Sequence, residues 1–233
     1  MKKTALFWVF IWVLNTGFAQ NSKPNVVYIM DPMCSWCYTF NPIMEKLHAK
    51  YKHKVDFTVV TGGMIVGAKV RTISEIAEYI IAGHMDMQNM TGVTFGKPYF
   101  DLVNEGATIL SSERPSRAIV AFRTQNSEKA IDFSHDLQRL FFQEGFNLNE
   151  DSTYLKMAQK FDLNGKDFLL RMESDSVKTS TLQDFKKVED AGISGFPTLL
   201  MRINGKVILI TEGFEQFDKL EKKIEKILKQ HNG

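Results

Sequence analysis

The sequence predicts an α/β fold in which a helical block interrupts a core of strands and helices. Three observations carry this prediction. The apolar run Val26-Val27-Tyr28-Ile29-Met30 reads as a strand buried on both faces, with helix-compatible sequence following from Ser35. Residues from about Met64 to Met172 show helical periodicity and little strand signal. Two late apolar runs, Leu199–Ile203 and Lys206–Ile210, are joined by Asn204-Gly205, the favoured two-residue hairpin turn.

The elements follow in order. The first helix is expected to run to about Tyr51, with Ile43, Met44, Leu47 and Tyr51 on its inner side. Pro42 lies inside it and removes one backbone hydrogen bond, which predicts a kink. Val55, Phe57 and Val59 alternate with Asp56, Thr58 and Val60 in a second strand, ended by Thr61-Gly62-Gly63. Within the helical block, helices are predicted over Ile73–Gln88, Arg114–Thr124, Glu128–Glu144, Asp151–Phe161 and Gly165–Met172. Ser174–Asp190 is a further helix leading back to the core. Phe217, Leu220, Ile224, Ile227 and Leu228 recur at helical spacing in a final amphipathic helix. The first strand–helix–strand unit predicts a parallel pair with a right-handed crossover.

The 233 residues, 44% of them hydrophobic, suit one domain over residues 20–233, with the insertion at about 64–172. Residues 1–19 read as an export signal: Lys2-Lys3, a ten-residue apolar run from Ala5 to Leu14, and small residues at Gly17 and Ala19. That run is too short for a membrane span. These features predict an exported protein in a periplasm or another extracytoplasmic space, without stable membrane insertion after cleavage. The formal net charge is +2; without Lys2 and Lys3, basic and acidic residues balance at 27 each. A near-neutral chain argues against nucleic acid as a partner.

Chemistry concentrates in Asp31-Pro32-Met33-Cys34-Ser35-Trp36-Cys37, which holds both cysteines of the sequence. A Cys-x-x-Cys at a strand-to-helix junction sets the first sulfur at a helix N-terminus, where unpaired N–H groups and the helix dipole favour the thiolate. Such sites lower a cysteine pKa from about 8.5 to roughly 3.5–7.5. The pair therefore reads as a redox centre, with Cys34 as nucleophile and Cys37 as resolving thiol. A zinc site needs two further ligands, and the five histidines offer only His48/His53 at a suitable spacing. A c-type haem needs histidine where Tyr38 stands. A structural disulfide across so small a loop gains little entropically. No metal and no cofactor is expected.

Trp36 reads either as an apolar platform for unfolded substrates or as packing beside the site. Asp31 reads either as a group that modulates the thiol pKa and accepts a proton during resolution, or as a turn former before Pro32. The stretch His84-Met85-Asp86-Met87-Gln88-Asn89-Met90 gathers ligands that suit Cu(I), but reads more simply as a helix end whose methionines face the core or a peptide groove.

The element order and four stretches together resemble the DsbA-like thiol–disulfide oxidoreductases of the thioredoxin superfamily, in the branch of predicted protein disulfide isomerases. The stretches are Asp31–Cys37, Gly62-Gly63-Met64, Ser111–Ala118 and Gly195-Phe196-Pro197-Thr198. The resemblance implies a thioredoxin-like fold with a helical insertion. It implies a Pro197 that is cis and faces the cysteine pair, with Trp36, Phe196, Pro197 and Thr198 forming the substrate wall. A trans proline that simply starts a strand is the plainer reading of Pro197. The implied activity is exchange with thiol- or disulfide-containing protein substrates through a mixed disulfide, with an unidentified redox partner recycling the site. Two other readings stay open: a glutathione-dependent transferase or isomerase of the same fold, and a non-enzymic peptide-binding or holdase module.

Overall fold

The computed structural model describes residues 23–231; the expected export signal at residues 1–19 lies outside the described residues. The chain opens with β1 (Asn25–Met30), α1 (Ser35–Tyr51) and β2 (Asp56–Thr61). Next come β3 (Arg71–Thr72), a 3-10 turn at Ile73–Ile76, α2 (Ala77–Thr91), α3 (Lys97–Glu105) and β4 (Ile109–Leu110). Five helices follow: α4 (Glu113–Arg123), α5 (Ala130–Phe142), α6 (Asp151–Lys160), α7 (Gly165–Met172) and α8 (Asp175–Asp190). β5 (Thr198–Ile203), β6 (Lys206–Glu212) and α9 (Phe217–His231) close the fold.

The four long strands form one sheet in the order β2-β1-β5-β6. β1 and β2 are parallel, from Asn25↔Asp56 to Met30↔Thr61. β5 runs antiparallel to β1, pairing Thr198 with Ile29, and antiparallel to β6. The hairpin between β5 and β6 turns on Asn204 and Gly205, both at positive φ (49° and 74°), the conformation that a two-residue turn of this hand requires. α1 is unbroken through Pro42, whose ring faces solvent.

Alternation along β1 sends its side chains into two apolar layers, as expected for a strand buried on both faces. Val26, Tyr28 and Met30 join Phe40, Met44 and Leu47 of α1 in the larger core, which also takes Leu220 and Ile224 of α9. Val27 and Ile29 face Val188 of α8 on the other side. Each fully buried side chain of this size contributes roughly 1.5–3 kcal/mol relative to exposure. A partly buried ion pair fixes α8 against the sheet: Arg123 of α4 donates to Asp184 of α8 at 2.7 Å, and Thr61 N–H of β2 donates to the same carboxylate at 3.4 Å.

The block between β2 and α8 departs from the sequence reading in two places. It holds the two-residue strands β3 and β4, paired antiparallel and too short to show a period. It also holds α3, whose nine residues are framed by Gly96 and by Gly106 in the left-handed region, with Pro98 in the first turn. Gly and Pro at both ends make so short a helix look like loop.

Candidate functional site

β1 ends at Met30, and a tight turn, Asp31 C=O accepting from Cys34 N–H at 3.0 Å, leads into α1. Cys34 is the N-cap of α1, in an extended conformation with φ −85° and ψ 112°. Its sulfur accepts the Cys37 backbone N–H at 3.3 Å, one of the donors a helix start leaves unpaired. Across the site, the Cys34 thiol donates to the Phe196 carbonyl at 3.7 Å. Both cysteines are free thiols. Cys34 is 4% exposed and Cys37 is fully buried. Burial, then the neighbouring Cys34, pushes the Cys37 thiol well above its ordinary pKa.

The Phe196–Pro197 peptide bond is cis, and Pro197 and Thr198 are buried beside β1. The residues singled out on the two sides of the site are thus brought together, 162 positions apart at the Cys34–Phe196 contact. Trp36 is half-buried and packs on Phe214 with ring centroids 5.8 Å apart. The Ser194 and Gly195 N–H groups both point to the Glu212 carboxylate, at 3.4 and 3.0 Å.

Asp31 is completely buried. One carboxylate oxygen accepts Met33 N–H at 2.9 Å, the turn-forming bond expected of an aspartate at this position. The same oxygen also accepts Ser112 Oγ–H at 2.8 Å, and the other accepts Met64 N–H at 2.7 Å. Burial raises the Asp31 pKa, and these hydrogen bonds oppose the rise without cancelling it. Ser112 Oγ in turn accepts Ile65 N–H at 2.9 Å. The Gly62-Gly63-Met64 and Ser111–Ala118 stretches, whose chemistry the sequence left unexplained, therefore converge on this carboxylate. Gly62 is glycine for a steric reason: a Cβ there would sit 2.2 Å from the Phe196 ring.

Two buried residues of the site escaped the sequence reading. Gln138 of α5 is fully buried and donates to the Asp31 and Cys34 carbonyls at 3.1 and 3.2 Å, stapling the strand-to-helix turn. Its signal was a polar residue seven positions after Ile131, on the apolar face of α5. Tyr28 of β1 lies beside the cysteine pair, its hydroxyl without a hydrogen-bond partner of normal geometry. Burial first, and then the two thiols, raise its pKa well above the usual phenol value. No group of three or more metal-ligating side chains occurs among the described residues.

Sheet order, inserted helices and a Cys-x-x-Cys at the head of the first helix define a thioredoxin-like disulfide oxidoreductase fold of the DsbA-like kind. A thioredoxin family model matches residues 27–221. The chain belongs to the thioredoxin family. Among solved structures, a candidate protein disulfide isomerase from Nitrosomonas europaea is 26% identical, with a TM-score of 0.79 over 90% of this chain and 99% of that one. The cytosolic disulfide reductase DsbM from Pseudomonas aeruginosa is 21% identical, with a TM-score of 0.73 over 88% of this chain and 99% of its own. The ClpXP adapter protein SpxH of Halalkalibacterium halodurans is 23% identical over 78% of this chain, and that of Bacillus subtilis 24% identical over 76%. The chain spans only 60% and 58% of the length of these two curated relatives.

One expectation is corrected by these comparisons. Export to a periplasm or another extracytoplasmic space was expected, but the similar DsbM is a cytosolic enzyme. The physical reason is that a cysteine pair that cycles through exchange works in a reducing compartment as well as an oxidising one, where it acts as a reductase. The geometry of the site therefore carries no compartment.

Proposed function

We propose that the chain exchanges disulfides with protein substrates through a mixed disulfide on Cys34, resolved by Cys37. The observation that supports this most is the asymmetry of the pair. Cys34 heads the helix and borders a cavity open to the outside, whereas Cys37 is sealed behind it with a thiol kept protonated by burial. In the reducing direction, the Cys34 thiolate attacks one sulfur of a substrate disulfide. That bond breaks, the Cys34–substrate disulfide forms, and the other substrate sulfur leaves as thiolate. Cys37 then loses its proton and attacks Cys34 Sγ, which releases the second substrate thiolate and leaves a Cys34–Cys37 disulfide. Two electrons pass from the pair to the substrate. The oxidising direction is the same sequence reversed.

Asp31 takes the proton that Cys37 gives up in this scheme. Its charge acts on that thiol, and its raised pKa makes it a better proton acceptor than an ordinary aspartate. Trp36, Phe196, Pro197 and Thr198 form the substrate wall. The Phe196 carbonyl holds the Cys34 S–H in the free protein. A mixed disulfide has no S–H, so the carbonyl becomes available to a substrate N–H, the start of a short β-pairing.

Equilibrating the protein in graded glutathione redox buffers tests the activity. Oxidation of Cys34 and Cys37 as a pair supports the reading. A midpoint toward about −120 mV makes the protein a disulfide donor, and one toward about −270 mV makes it a reductase or isomerase that needs an electron source. A pair that stays in one state across the whole range sinks the proposal. A peptide-binding role without redox chemistry is favoured only by the two SpxH relatives. Cys34→Ser separates the two, because an adapter or holdase keeps its binding and an oxidoreductase loses all exchange.

A further inference from the structure

A cavity of about 220 Å³ opens beside Cys34 between α1, α2 and α5. Its walls include Met33, Trp36, Met64, Ile80, Met87 and Phe142. Histidine is the one titratable nitrogen base among the lining residues, and no aspartate, glutamate, lysine or arginine lines it. That composition suits an aromatic guest, since thioether sulfurs and ring edges both favour aromatic contact. The volume is below the roughly 300–1,000 Å³ of sites that take a drug-sized ligand, so it suits one side chain. Glutathione would find no cation here for its carboxylates.

Ser35, Trp36, Tyr79, Tyr99 and His84 are the lining residues with a polar oxygen or nitrogen on the side chain, and His84 is the one whose buried nitrogen has no partner. It is 4% exposed, its ring stacks on Phe95 at 4.1 Å and 3°, and its Nδ1 is buried with no hydrogen-bond partner. Stacking on Phe95, the tilted ring of Tyr99 and the edge-on ring of Phe142 leave the imidazole little freedom to turn toward another acceptor or donor. Burial lowers its pKa to about 4, so the imidazole is neutral at ordinary pH. A buried polar nitrogen without a partner costs stability, and a guest that supplies a hydroxyl removes that cost.

We propose that this cavity seats one tyrosine side chain of the substrate, next to the cysteine that Cys34 attacks, with the phenol hydroxyl bonded to His84. The ring fills the apolar walls, and the hydroxyl serves either tautomer of the imidazole because it both donates and accepts. This inference rests on the proposed disulfide exchange and names its substrate class. It also gives the His84–Met90 stretch a role that is not metal binding: Met87 and His84 face the guest, while Met85 and Met90 are exposed on the outer side of α2.

The test uses disulfide-linked dimers of short peptides, each with one cysteine flanked by Tyr, Phe, Leu or Lys, and measures the second-order rate of attack by the reduced protein. The tyrosine peptide is expected to react about tenfold faster than its phenylalanine twin, with the lysine peptide slowest. His84→Leu is expected to bring the Tyr/Phe ratio to about one, and His84→Asn, which keeps a hydrogen-bonding group near the Nδ1 position, to restore part of it. The ratio is taken on a single preparation, so a partly unfolded variant does not distort it. Equal rates for tyrosine and phenylalanine in the native protein, as when a water already satisfies His84, overturn the inference and leave the exchange activity standing. A preference that survives in His84→Leu also overturns it. No exchange with any peptide overturns the proposed function itself.

Discussion

Ser112 Oγ donates to Asp31 Oδ1 at 2.8 Å across 81 positions of sequence. That bond joins the helical block to the strand-to-helix turn carrying Cys34, and Ser112 Oγ passes the connection on to the Ile65 N–H. Ser112→Ala removes the donor, leaving a buried carboxylate one hydrogen bond short. Denaturant unfolding is expected to show a loss of about 1–3 kcal/mol. A loss within error of zero would show that Asp31 finds its support elsewhere.

The Asp31 carboxyl has a raised pKa, so the fold penalises its charged form. The stability linked to this group is greatest below the ordinary aspartate pKa of about 3.9 and declines as pH rises through the higher folded value. Asp31→Asn has no such titration. The stability of the native protein minus that of the variant is therefore expected to fall with rising pH over that interval. A difference that is flat with pH, measured by urea unfolding from about pH 4 upward, contradicts the raised value.

Gly62 and Phe196 share one space, and a methyl at Gly62 would meet the ring at 2.2 Å. Gly62→Ala is expected to cost about 1–3 kcal/mol as an overpacked site and to slow disulfide exchange by displacing the residue whose carbonyl meets Cys34. Adding Phe196→Leu makes room, so the double variant should recover part of the stability. Simple additivity of the two losses would mean that the residues do not compete for the space.

Arg123 and Asp184 hold α4 and α8 to the end of β2. Asp184→Ala leaves the guanidinium without its partner and is expected to cost about 3 kcal/mol. Arg123→Met with Asp184→Leu should recover most of that loss, since replacing both charges avoids a lone buried ion. Thermal unfolding of the two variants beside the native protein decides between this and a purely steric role for Asp184.

The strands, the parallel first pair and the late hairpin were legible because their signals are local, whereas the pairing of β5 with β1 joins residues about 170 positions apart and left no local signal. A continuous apolar strand, an Asn-Gly turn and a heptad-like final helix each announce themselves within a dozen residues. The pair Cys34 and Cys37 was legible for the same reason. Gln138 was not singled out, because a buried polar residue on a helix is recognised only by what it touches, and its partners lie more than 100 positions away. Asp31 was read either as a modulator of the thiol or as a turn former, and its bonds to Met64 and Ser112 were not foreseen because they depend on how the helical block folds back. His84 was read with its methionine neighbours as one cluster, whereas the helix turns alternate residues of that cluster toward the cavity and toward solvent.

Exchange through a mixed disulfide holds substrate covalently on Cys34 until Cys37 releases it. It is tested most directly with Cys37→Ser, by mixing the reduced variant with a disulfide-bonded protein and locating the adduct by peptide mass mapping. A long-lived mixed disulfide on Cys34 that a small thiol releases is expected, with no adduct on Cys37 in the matching Cys34→Ser variant. An adduct on Cys37 in that variant, or none on Cys34 when Cys37 cannot resolve it, would rule out exchange through Cys34.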